Sequence, residues 1–491
     1  MENFTLRTAR PEDLDAVAAL EAACFPAAEA ATKAEFAQRL RHYADHFWLL
    51  FQGDQLISFV DGFVTDSPDL TDEMYADAAL HDENGAWQMI FGVNTHPDCR
   101  RQGHAGRLLQ RAIDDARKQG RKGLVLTCKE HKVHYYAKFG FADEGISENS
   151  THGNVVWHQM RLTFERKKAL VLLPCDESTR QRLTEAAEGY ADFTFRDPAW
   201  SVEEYHDAMK TAQILIGEPK NEDLRFCEHL EWMQSPSSGV NYYVEGGAFP
   251  ANATLCCMTG GYGNVLAEHL LAMVLSLCRR LPEYRDQQHQ HKWELRKYDK
   301  QLEGSTLMIL GAGDIGTTVA RWMRPMVGKV IGVRRSARPF PDCYDEMLTL
   351  DELDSRLGEA DIIVCALPHT PETVRLLSED RLRKMKKDAV LVNGGRGSLI
   401  DQEALLRVME EGWFWGVGLE VTTPEPLPKE HPLWDQPRVI ITPHAAGNSF
   451  APGSPLEKKI WDFIIENISG YLKGKEPKNR VDFSTGYRAT V

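Results

Sequence analysis

The spacing of apolar residues divides the first 164 positions into short strands and helices. Residues 47–51, Phe-Trp-Leu-Leu-Phe, and residues 123–128 are apolar runs typical of buried strands. Between them, residues 103–118 place apolar side chains at helical spacing. The predicted strands are 5–9, 46–52, 55–64, 87–94, 123–128 and two closing strands, of which 155–164 is the last; the predicted helices are 11–22, 103–118 and 132–139. This order predicts a mixed α+β domain over residues 1–165.

A new pattern begins after the charged segment 165–168. Residues 169–174 form an apolar run, and from there strands alternate with helices, as in doubly wound parallel sheets. The junction contains no Gly/Ser-rich or Pro-rich linker. The clearest predicted strands are 305–310, 329–333, 362–366, 389–393, 415–421 and 439–442, with a helix over 315–323 after the first of them. We therefore expect an α/β architecture for the second part.

Composition narrows the possible partners. A chain of 491 residues is long enough for about three folding units. Its net charge of −15 argues against nucleic acid and anionic membranes as main partners, because both favour a basic surface. The ten cysteines show no C-x-x-C pair and no Cys/His cluster at zinc spacing, so we expect reduced thiols and no metal site. The N-terminus lacks a signal-peptide pattern, and no apolar run is long enough to span a membrane; we expect a cytoplasmic protein.

The first candidate site follows the predicted strand 87–94. A strand followed by Arg-x-x-Gly-x-Ala and a helix suits a pyrophosphate, because backbone N–H groups and the helix N-terminus converge on anionic oxygens. An ordinary turn between a strand and a helix, without a ligand, is the alternative interpretation of this pattern. The candidate binding residues are Arg100, Arg101, Gln102, Gly103, His104, Ala105 and Gly106.

Further residues carry a family resemblance. Cys24-Phe-Pro follows the first helix, and Tyr135-Tyr-Ala-Lys-Phe-Gly-Phe141 follows the strand after the loop. In order and spacing, residues 3–164 resemble the GNAT-type acetyltransferases, in particular the arylalkylamine branch. The resemblance implies acetyl-CoA as cosubstrate and an amine as acceptor. It also implies Tyr136 as the acid that protonates the departing thiolate, with Tyr135 as its core-facing neighbour. A purely packing role for Tyr136 is the alternative.

One feature departs from that branch. The arylalkylamine enzymes carry histidines on the strand before the loop, whereas residues 88–91 here read Gln-Met-Ile-Phe. His96 lies nearer the loop and is interpreted as a surface residue. The general base is therefore unassigned, and a domain that binds acyl-CoA without catalysis remains an alternative.

A second nucleotide motif lies at residues 311–316, between a predicted strand and a helix. In Gly-x-Gly-x-x-Gly, Gly311 makes the tight turn, Gly313 lets the backbone approach a pyrophosphate, and Gly316 allows close helix packing. The next strand ends without the acidic residue that would accept a ribose 2′-OH, and two arginines and a serine follow instead. We expect these to favour NADPH over NADH, unless they are ordinary surface residues. The candidate cofactor residues are Gly311, Gly313, Asp314, Ile315, Gly316, Arg334, Arg335 and Ser336.

Three catalytic-type side chains each follow a predicted strand: Arg396, Glu425 and His444. With segments 234–241, 267–269, 367–371 and 479–487, they resemble the D-isomer-specific 2-hydroxyacid dehydrogenases across residues 169–491. The resemblance implies that His444 donates a proton to the substrate carbonyl, that Glu425 orients it, and that Arg396 binds the carboxylate. Further residues implied at the site are Ser238, Gly239 and Val240 through their backbone N–H groups, and Leu367, Pro368 and Thr370 near the cofactor.

The resemblance also implies an organisation and a reaction. The substrate domain would comprise residues 169–268 and 449–491, and a Rossmann-type cofactor domain residues 269–448. The helix 264–280 and its extension 286–293 would form a homodimer interface, with Trp293 bordering the substrate pocket or packing. Glu420 stands where the family more often has Asp. The expected substrate is a small 2-keto acid such as glyoxylate or hydroxypyruvate, reduced in a chain that also acetylates an amine.

Overall fold

A computed structural model describes residues 4–26, 30–150, 155–335, 339–448 and 450–489. The fold divides into two compact units, residues 1–167 with 187–192, and residues 168–186 with 193–491. Within the described ranges, the helices are too short or too polar to cross a bilayer.

The first unit contains two sheets. One is four-stranded with the order β1-β2-β3-β6, and the other is five-stranded with the order β4-β5-β7-β9-β8. Its strands are β1 Phe4–Thr8, β2 Phe47–Gln52, β3 Gln55–Asp61, β4 Val64–Thr65, β5 Trp87–Ile90, β6 Gly92–Thr95, β7 Gly123–Cys128, β8 Ala142–Ile146 and β9 His158–Thr163. Its helices are α1 Leu14–Cys24, α2 Lys33–Tyr43, α3 Asp72–Ala76, α4 His104–Lys118 and α5 Val133–Ala137.

The strand predicted over residues 87–94 is in fact two strands in different sheets. β5 pairs in parallel with β7, whereas β6, which begins after Phe91, pairs antiparallel with β3. The strand predicted over 55–64 is also interrupted: β3 ends at Asp61 and β4 begins at Val64. In the gap, a Cβ on Gly62 would lie 1.7 Å from the Met89 carbonyl oxygen. Only glycine permits this approach, and beyond it the two sheets separate. The prediction of continuous strands was wrong because the apolar pattern continues while the pairing partner changes.

The second unit also contains two large sheets. One has the order β11-β10-β12-β13-β14, and the other is a seven-stranded parallel sheet with the order β17-β16-β15-β18-β19-β20-β21. The strands are β10 Lys167–Val171, β11 Ala191–Phe195, β12 Ile214–Ile216, β13 Trp232–Gln234, β14 Thr254–Cys256, β15 Thr306–Leu310, β16 Lys329–Val333, β17 Glu346–Leu348, β18 Ile362–Cys365, β19 Val390–Asn393, β20 Gly416–Leu419, β21 Val439–Ile441, β22 Val481–Asp482 and β23 Tyr487–Arg488.

Helices cover both faces of the seven-stranded sheet, and a buried apolar cluster lies on each face. Strands β18, β19 and β20 are buried along their whole length, as expected for parallel strands covered on both sides. The helices are α6 Glu177–Ala186, α7 Val202–Thr211, α8 Asn241–Glu245, α9 Gly263–Cys278, α10 Leu281–His289, α11 Asp314–Met323, α12 Leu353–Arg356, α13 Glu379–Lys384, α14 Gln402–Glu410 and α15 Pro455–Leu472. The predicted α/β class with parallel sheets is confirmed.

The helix predicted over 264–280 and the C-terminal helix α15 each show a further feature of the second unit. The long helix predicted over 264–280 ends at Cys278, and α10 starts after Arg280, whose φ of 54° breaks the helix. The C-terminal helix α15 returns to the five-stranded sheet: Asn467 donates to Gln234 at 2.7 Å, and Tyr471 stacks on Trp232. The domain limits 169–268, 269–448 and 449–491 stay predictions.

Candidate active sites

A single cavity of about 760 Å³ in the second unit collects the side chains expected for reduction, Arg396, Glu425 and His444. Its lining comes from the carboxyl ends of strands in both large sheets, including β12 to β15 and β18 to β21. The order of the seven-stranded sheet reverses between β15 and β18, which is where ligands bind in open parallel sheets. The arrangement of the strands therefore places these three side chains at the expected crevice.

His444 and Glu425 form a hydrogen-bonded pair. The imidazole Nδ1 and the Glu425 Oε2 are 2.9 Å apart, and the other carboxylate oxygen accepts from the backbone N–H of Thr422 at 3.1 Å. A carboxylate on Nδ1 keeps the proton there and leaves Nε2 for proton exchange with a substrate. His444 has a φ of 53°, a strained value for a non-glycine residue and one typical of functional sites.

Arg396 is held between its own loop and the opposite wall. Its Nη1 donates to the Gly395 carbonyl at 2.8 Å, and Asn393 braces the loop through the Arg396 carbonyl at 3.0 Å. A Cβ on Gly239 would lie 1.4 Å from Arg396 Nη2, so the guanidinium packs directly on that glycine. Burial lowers the pKa of Arg396, with Glu425 acting in the opposite direction. A partly desolvated guanidinium suits a carboxylate ligand.

The loop around Gly239 offers free donors. Among the described residues, the backbone N–H groups of Ser238, Gly239 and Val240 make no hydrogen bond. Ser238 and Gly239 line the cavity, while the Val240 side chain is buried in the neighbouring core. The N–H groups predicted for a substrate carboxylate thus lie beside the guanidinium, with their hydrogen-bonding capacity unused.

The glycine-rich turn fits a dinucleotide pyrophosphate. Gly311 has a φ of 105°, and a Cβ on Gly316 would lie 2.1 Å from the Gly311 carbonyl oxygen, so the helix and strand pack closely. A Cβ on Gly313 would meet nothing within 4 Å, which leaves room for a ligand against the backbone. Asp314 opens α11, and Ile315 and Asp314 line the cavity.

Only some of the other predicted cofactor residues line the cavity. Leu367 and Pro368 line the cavity, but Thr370 is buried and pairs with Thr373, so the structure does not bring it there. Arg334 and Arg335 directly follow β16, and Arg334 donates to the Pro339 carbonyl at 3.2 Å. Ser336 lies outside the described residues.

Glu420, which stands where the family more often has Asp, lies beside the turn that carries His444. Its carboxylate is 2% exposed, lies 2.9 Å from His269 Nε2, and accepts from the Thr442 hydroxyl and from the Ala446 N–H. Through these contacts Glu420 braces both sides of the turn that carries His444. The signal in the sequence was His269, which lies in the Ala-Glu-His segment already associated with the family.

In the first unit, the loop before α4 has the backbone of an anion-binding turn. Arg101 and Gly103 have φ values of 64° and 83°, and α4 begins at His104. Arg100 folds back, with its Nε donating to the Thr95 carbonyl at 3.2 Å, and Gln102 pairs with His104 at 3.3 Å. The remaining predicted residues, Ala105 and Gly106, form the first turn of α4. The loop thus fits a pyrophosphate.

The two adjacent tyrosines face different neighbours than expected. Tyr135 lies against the first turn of α4, its hydroxyl 3.7 Å from where a Cβ on Gly106 would stand. Tyr136 is the one that packs on the buried cluster, beside Phe141, and burial raises its pKa. The prediction of Tyr135 as the core-facing residue was therefore wrong. Successive residues of a helix point about 100° apart, and here the second one meets the sheet.

A buried carboxylate near β6 had no signal in the sequence. Glu21 on α1 is 7% exposed, accepts from Asn94 on β6 at 2.9 Å and from the Ala31 N–H at 3.1 Å. Burial and the neighbouring Asp61 raise the pKa of Glu21 to about 7. The strand that leads to the loop is therefore anchored by a group that titrates near neutrality.

Three metal-type ligands also converge in this unit: His46, His81 and Glu83. Hydrogen bonds account for the cluster. Gln88 donates to two backbone carbonyls, so its oxygen must accept from His46 Nδ1 at 2.7 Å, and His81 Nδ1 accepts from the Val64 N–H. His81 can then donate its Nε2 proton to Glu83, whose second oxygen pairs with Arg121. Nε2 of His46 also lies 3.0 Å from Glu83 Oε2, so all three side chains already have partners within the protein.

Known proteins resemble the two parts separately. Residues 5–143 match the acetyltransferase (GNAT) domain family, and residues 271–446 match the NAD-binding domain of the D-isomer-specific 2-hydroxyacid dehydrogenases. An uncharacterised protein from Corynebacterium melassecola is 31% identical over 272 residues, which are 53% of this chain and 84% of that protein. A glyoxylate reductase from Korarchaeum cryptofilum is 30% identical over 226 residues, which are 44% of this chain and 65% of that enzyme.

One solved structure aligns over most of the chain. The D-isomer-specific 2-hydroxyacid dehydrogenase family protein from Aeromonas salmonicida aligns over 65% of this chain and 100% of its own, with 31% identity and a TM-score of 0.58. The cavity, its paired histidine and the glycine-rich turn are consistent with these similarities. The chain therefore belongs to the D-isomer-specific 2-hydroxyacid dehydrogenase family and carries a GNAT acetyltransferase domain ahead of its dehydrogenase part.

Proposed function

We propose that the chain is a cytoplasmic bifunctional enzyme. Its second unit reduces a small 2-keto acid of the glyoxylate and hydroxypyruvate class to the D-2-hydroxy acid, with NADPH as reductant. Its first unit transfers acetyl from acetyl-CoA to an amine. The observation that carries the reductase is the His444–Glu425 pair at 2.9 Å, which shares one cavity with Arg396.

Each residue of the cavity has a defined part in the reduction. Arg396 and the free N–H groups of residues 238–240 bind the substrate carboxylate and direct the keto oxygen towards His444. A nicotinamide dinucleotide held by the glycine-rich turn would supply the hydride that the carbonyl carbon receives. The imidazolium of His444 gives its Nε2 proton to the carbonyl oxygen and becomes neutral, and Glu425 stabilises the charged form beforehand.

The preference for NADPH rests on Arg334 and Arg335, which follow β16 in a stretch of sequence, residues 333–338, that contains no acidic residue. Replacing both by Gln removes the charges available to a ribose 2′-phosphate. Because a hydrogen bond to a charged group contributes about 1.5–3 kcal/mol, we expect the ratio of kcat/KM for NADPH to that for NADH to fall at least about tenfold. Steady-state kinetics with both cofactors measures this ratio. A wild-type ratio below one would contradict the proposed preference.

For acetyl transfer, the proposed role of Tyr136 is to protonate the departing CoA thiolate. Its raised pKa keeps the phenol protonated at neutral pH, as an acid requires. We expect Tyr136→Phe to lower kcat about 100-fold with an unchanged Kd for CoA, because the change removes only the proton. Tyr135→Phe is the matched control. Acetylation of an amine panel and calorimetry with CoA measure the two quantities; equal turnover of both variants would contradict the role.

A second candidate for the first unit is an acyl-CoA-binding module without catalysis. The observation in its favour is that residues 87–95 contain no histidine to deprotonate an amine. Calorimetry with CoA separates the candidates together with the amine panel. Binding without turnover of any amine favours the module, whereas turnover lost in Tyr136→Phe favours the enzyme.

We also propose a homodimer formed through the dehydrogenase part. Between α10 and β15 the chain forms no helix or strand, and it exposes Trp293, Leu295 and Tyr298, of which Trp293 and Leu295 are almost fully accessible. Large apolar side chains that are this exposed mark interaction surfaces. We expect Leu295→Asp to convert the dimer to a monomer in light scattering after size exclusion, with Leu80→Asp, exposed in the first unit, as control. A monomeric wild type would contradict the proposal.

A further inference from the structure

The cavity that holds the catalytic pair also carries a carboxylate that the reduction does not use. Glu218 lies two residues after the end of β12 and lines the same cavity as Arg396 and His444. Its side chain is exposed there. A negative charge in a pocket that must admit an anionic substrate is costly unless it recognises something.

The orientation of Glu218 is fixed by two hydroxyl groups. Ser235, which is fully buried, donates to Oε1 at 3.0 Å, and Tyr242 donates to the same oxygen at 3.1 Å. Across residues 4–26, 30–150, 155–335, 339–448 and 450–489, no group donates to Oε2. The carboxylate is therefore held rigidly by one oxygen and presents the other as an unused acceptor.

The remaining charges of the cavity show that Glu218 has a separate role. Glu420 is paired with His269 and Glu425 with His444, and Asp314 stands at the N-terminus of α11 on the cofactor side. Arg396 lies close enough to Tyr242 to influence that phenol's pKa, so Tyr242 lies near both Arg396 and Glu218. The pocket thus offers a cation for the substrate carboxylate and, across Tyr242, an anion for the rest of the substrate.

We infer that Glu218 selects 2-oxo acids whose side chain carries a hydrogen-bond donor, either a hydroxyl or a cationic nitrogen. The inference rests on the proposed reduction and refines its substrate class. A carboxylate oxygen that is oriented in the pocket without a partner favours a substrate that donates to it over an analogue lacking the donor. A substrate with a second carboxylate is disfavoured, because Glu218 repels that negative charge. Diacids such as 2-oxoglutarate should therefore be poor substrates.

Matched substrate pairs test the inference. Hydroxypyruvate and pyruvate differ by one hydroxyl, and the 2-oxo acid analogue of arginine and 2-oxohexanoate are of similar length with and without a cation. We expect wild-type kcat/KM to favour the donor-bearing member of at least one pair by at least about 50-fold, and the pair that does so distinguishes the hydroxyl from the cationic source. 2-Oxoglutarate should be the poorest substrate.

The variant Glu218→Gln retains an oxygen for Ser235 and Tyr242 but loses the charge. We expect it to lower kcat/KM for the donor-bearing member of the pair at least about tenfold. The kcat/KM for the donor-free member should stay within about threefold of wild type, and the kcat/KM for 2-oxoglutarate should rise. Glu203→Gln, an exposed position on α7, is the control. Equal loss for all substrates, or no preference in the wild type, overturns the inference while the proposed reduction stands. No reduction of any 2-oxo acid by the wild type contradicts the proposed reduction itself, and the inference with it.

Discussion

Replacing His444 by Ala is expected to lower kcat/KM for reduction of a 2-keto acid about 1,000-fold, the middle of the range for loss of a general acid. The substrate oxygen would then have to take its proton from water while the hydride arrives. Glu425 cannot substitute, because it contacts the imidazole through Nδ1 and keeps its other oxygen on the Thr422 N–H. Steady-state turnover at saturating NADPH measures the effect.

An exposed histidine of the same unit provides the control for this variant. His229→Ala removes an exposed imidazole of the same unit and should retain wild-type turnover. The Kd of NADPH should be unchanged in His444→Ala, because the glycine-rich turn of residues 311–316 is untouched. Turnover within tenfold of wild type would show that His444 is not the proton donor.

The second large effect is expected from Gly239→Ala, a change of one methyl group. The added Cβ would stand 1.4 Å from Arg396 Nη2, so the guanidinium must move. Displacing a substrate-positioning group by an ångström or more costs about 100-fold in kcat/KM. Since Arg396 meets the methyl with the end of a flexible side chain, the free energy of unfolding should change little. Thermal unfolding and kinetics with the same 2-keto acid separate the two effects.

Gly470→Ala provides the matched control for that change. Position 470 lies in α15, where a Cβ would have its nearest neighbour 3.8 Å away. Its kinetics should equal those of the wild type, and its stability should rise slightly because alanine favours a helix. If Gly239→Ala retained wild-type kcat/KM, Arg396 would not bind the substrate in the position described.

Sequence patterns were sufficient for the main architecture of the dehydrogenase part. Continuous apolar strands separated by helices predict a parallel sheet with both faces covered, and β18, β19 and β20 are buried in that way. The order of the motifs also predicted that Arg396, Glu425 and His444 lie close together, because residues that follow parallel strands share one edge of the sheet. All three line one cavity.

Features set by distant contacts were not predictable from local patterns. The break after Ile90 depends on Gly62 approaching the Met89 carbonyl from another strand. The contact between Glu420 and His269 joins residues about 150 positions apart, and no periodicity encodes it. Tyr135 was predicted to face the core and Tyr136 packs there instead, since a five-residue helix is too short for an apolar pattern to fix its inward face.

The most direct test follows NADPH absorbance with the full-length protein and a panel of 2-keto acids led by glyoxylate and hydroxypyruvate, and then determines the configuration of the product. The account predicts NADPH consumption that depends on the keto acid and yields the D-2-hydroxy acid. Absence of consumption with every keto acid, in protein that binds NADPH by calorimetry, or formation of the L-isomer, would contradict it.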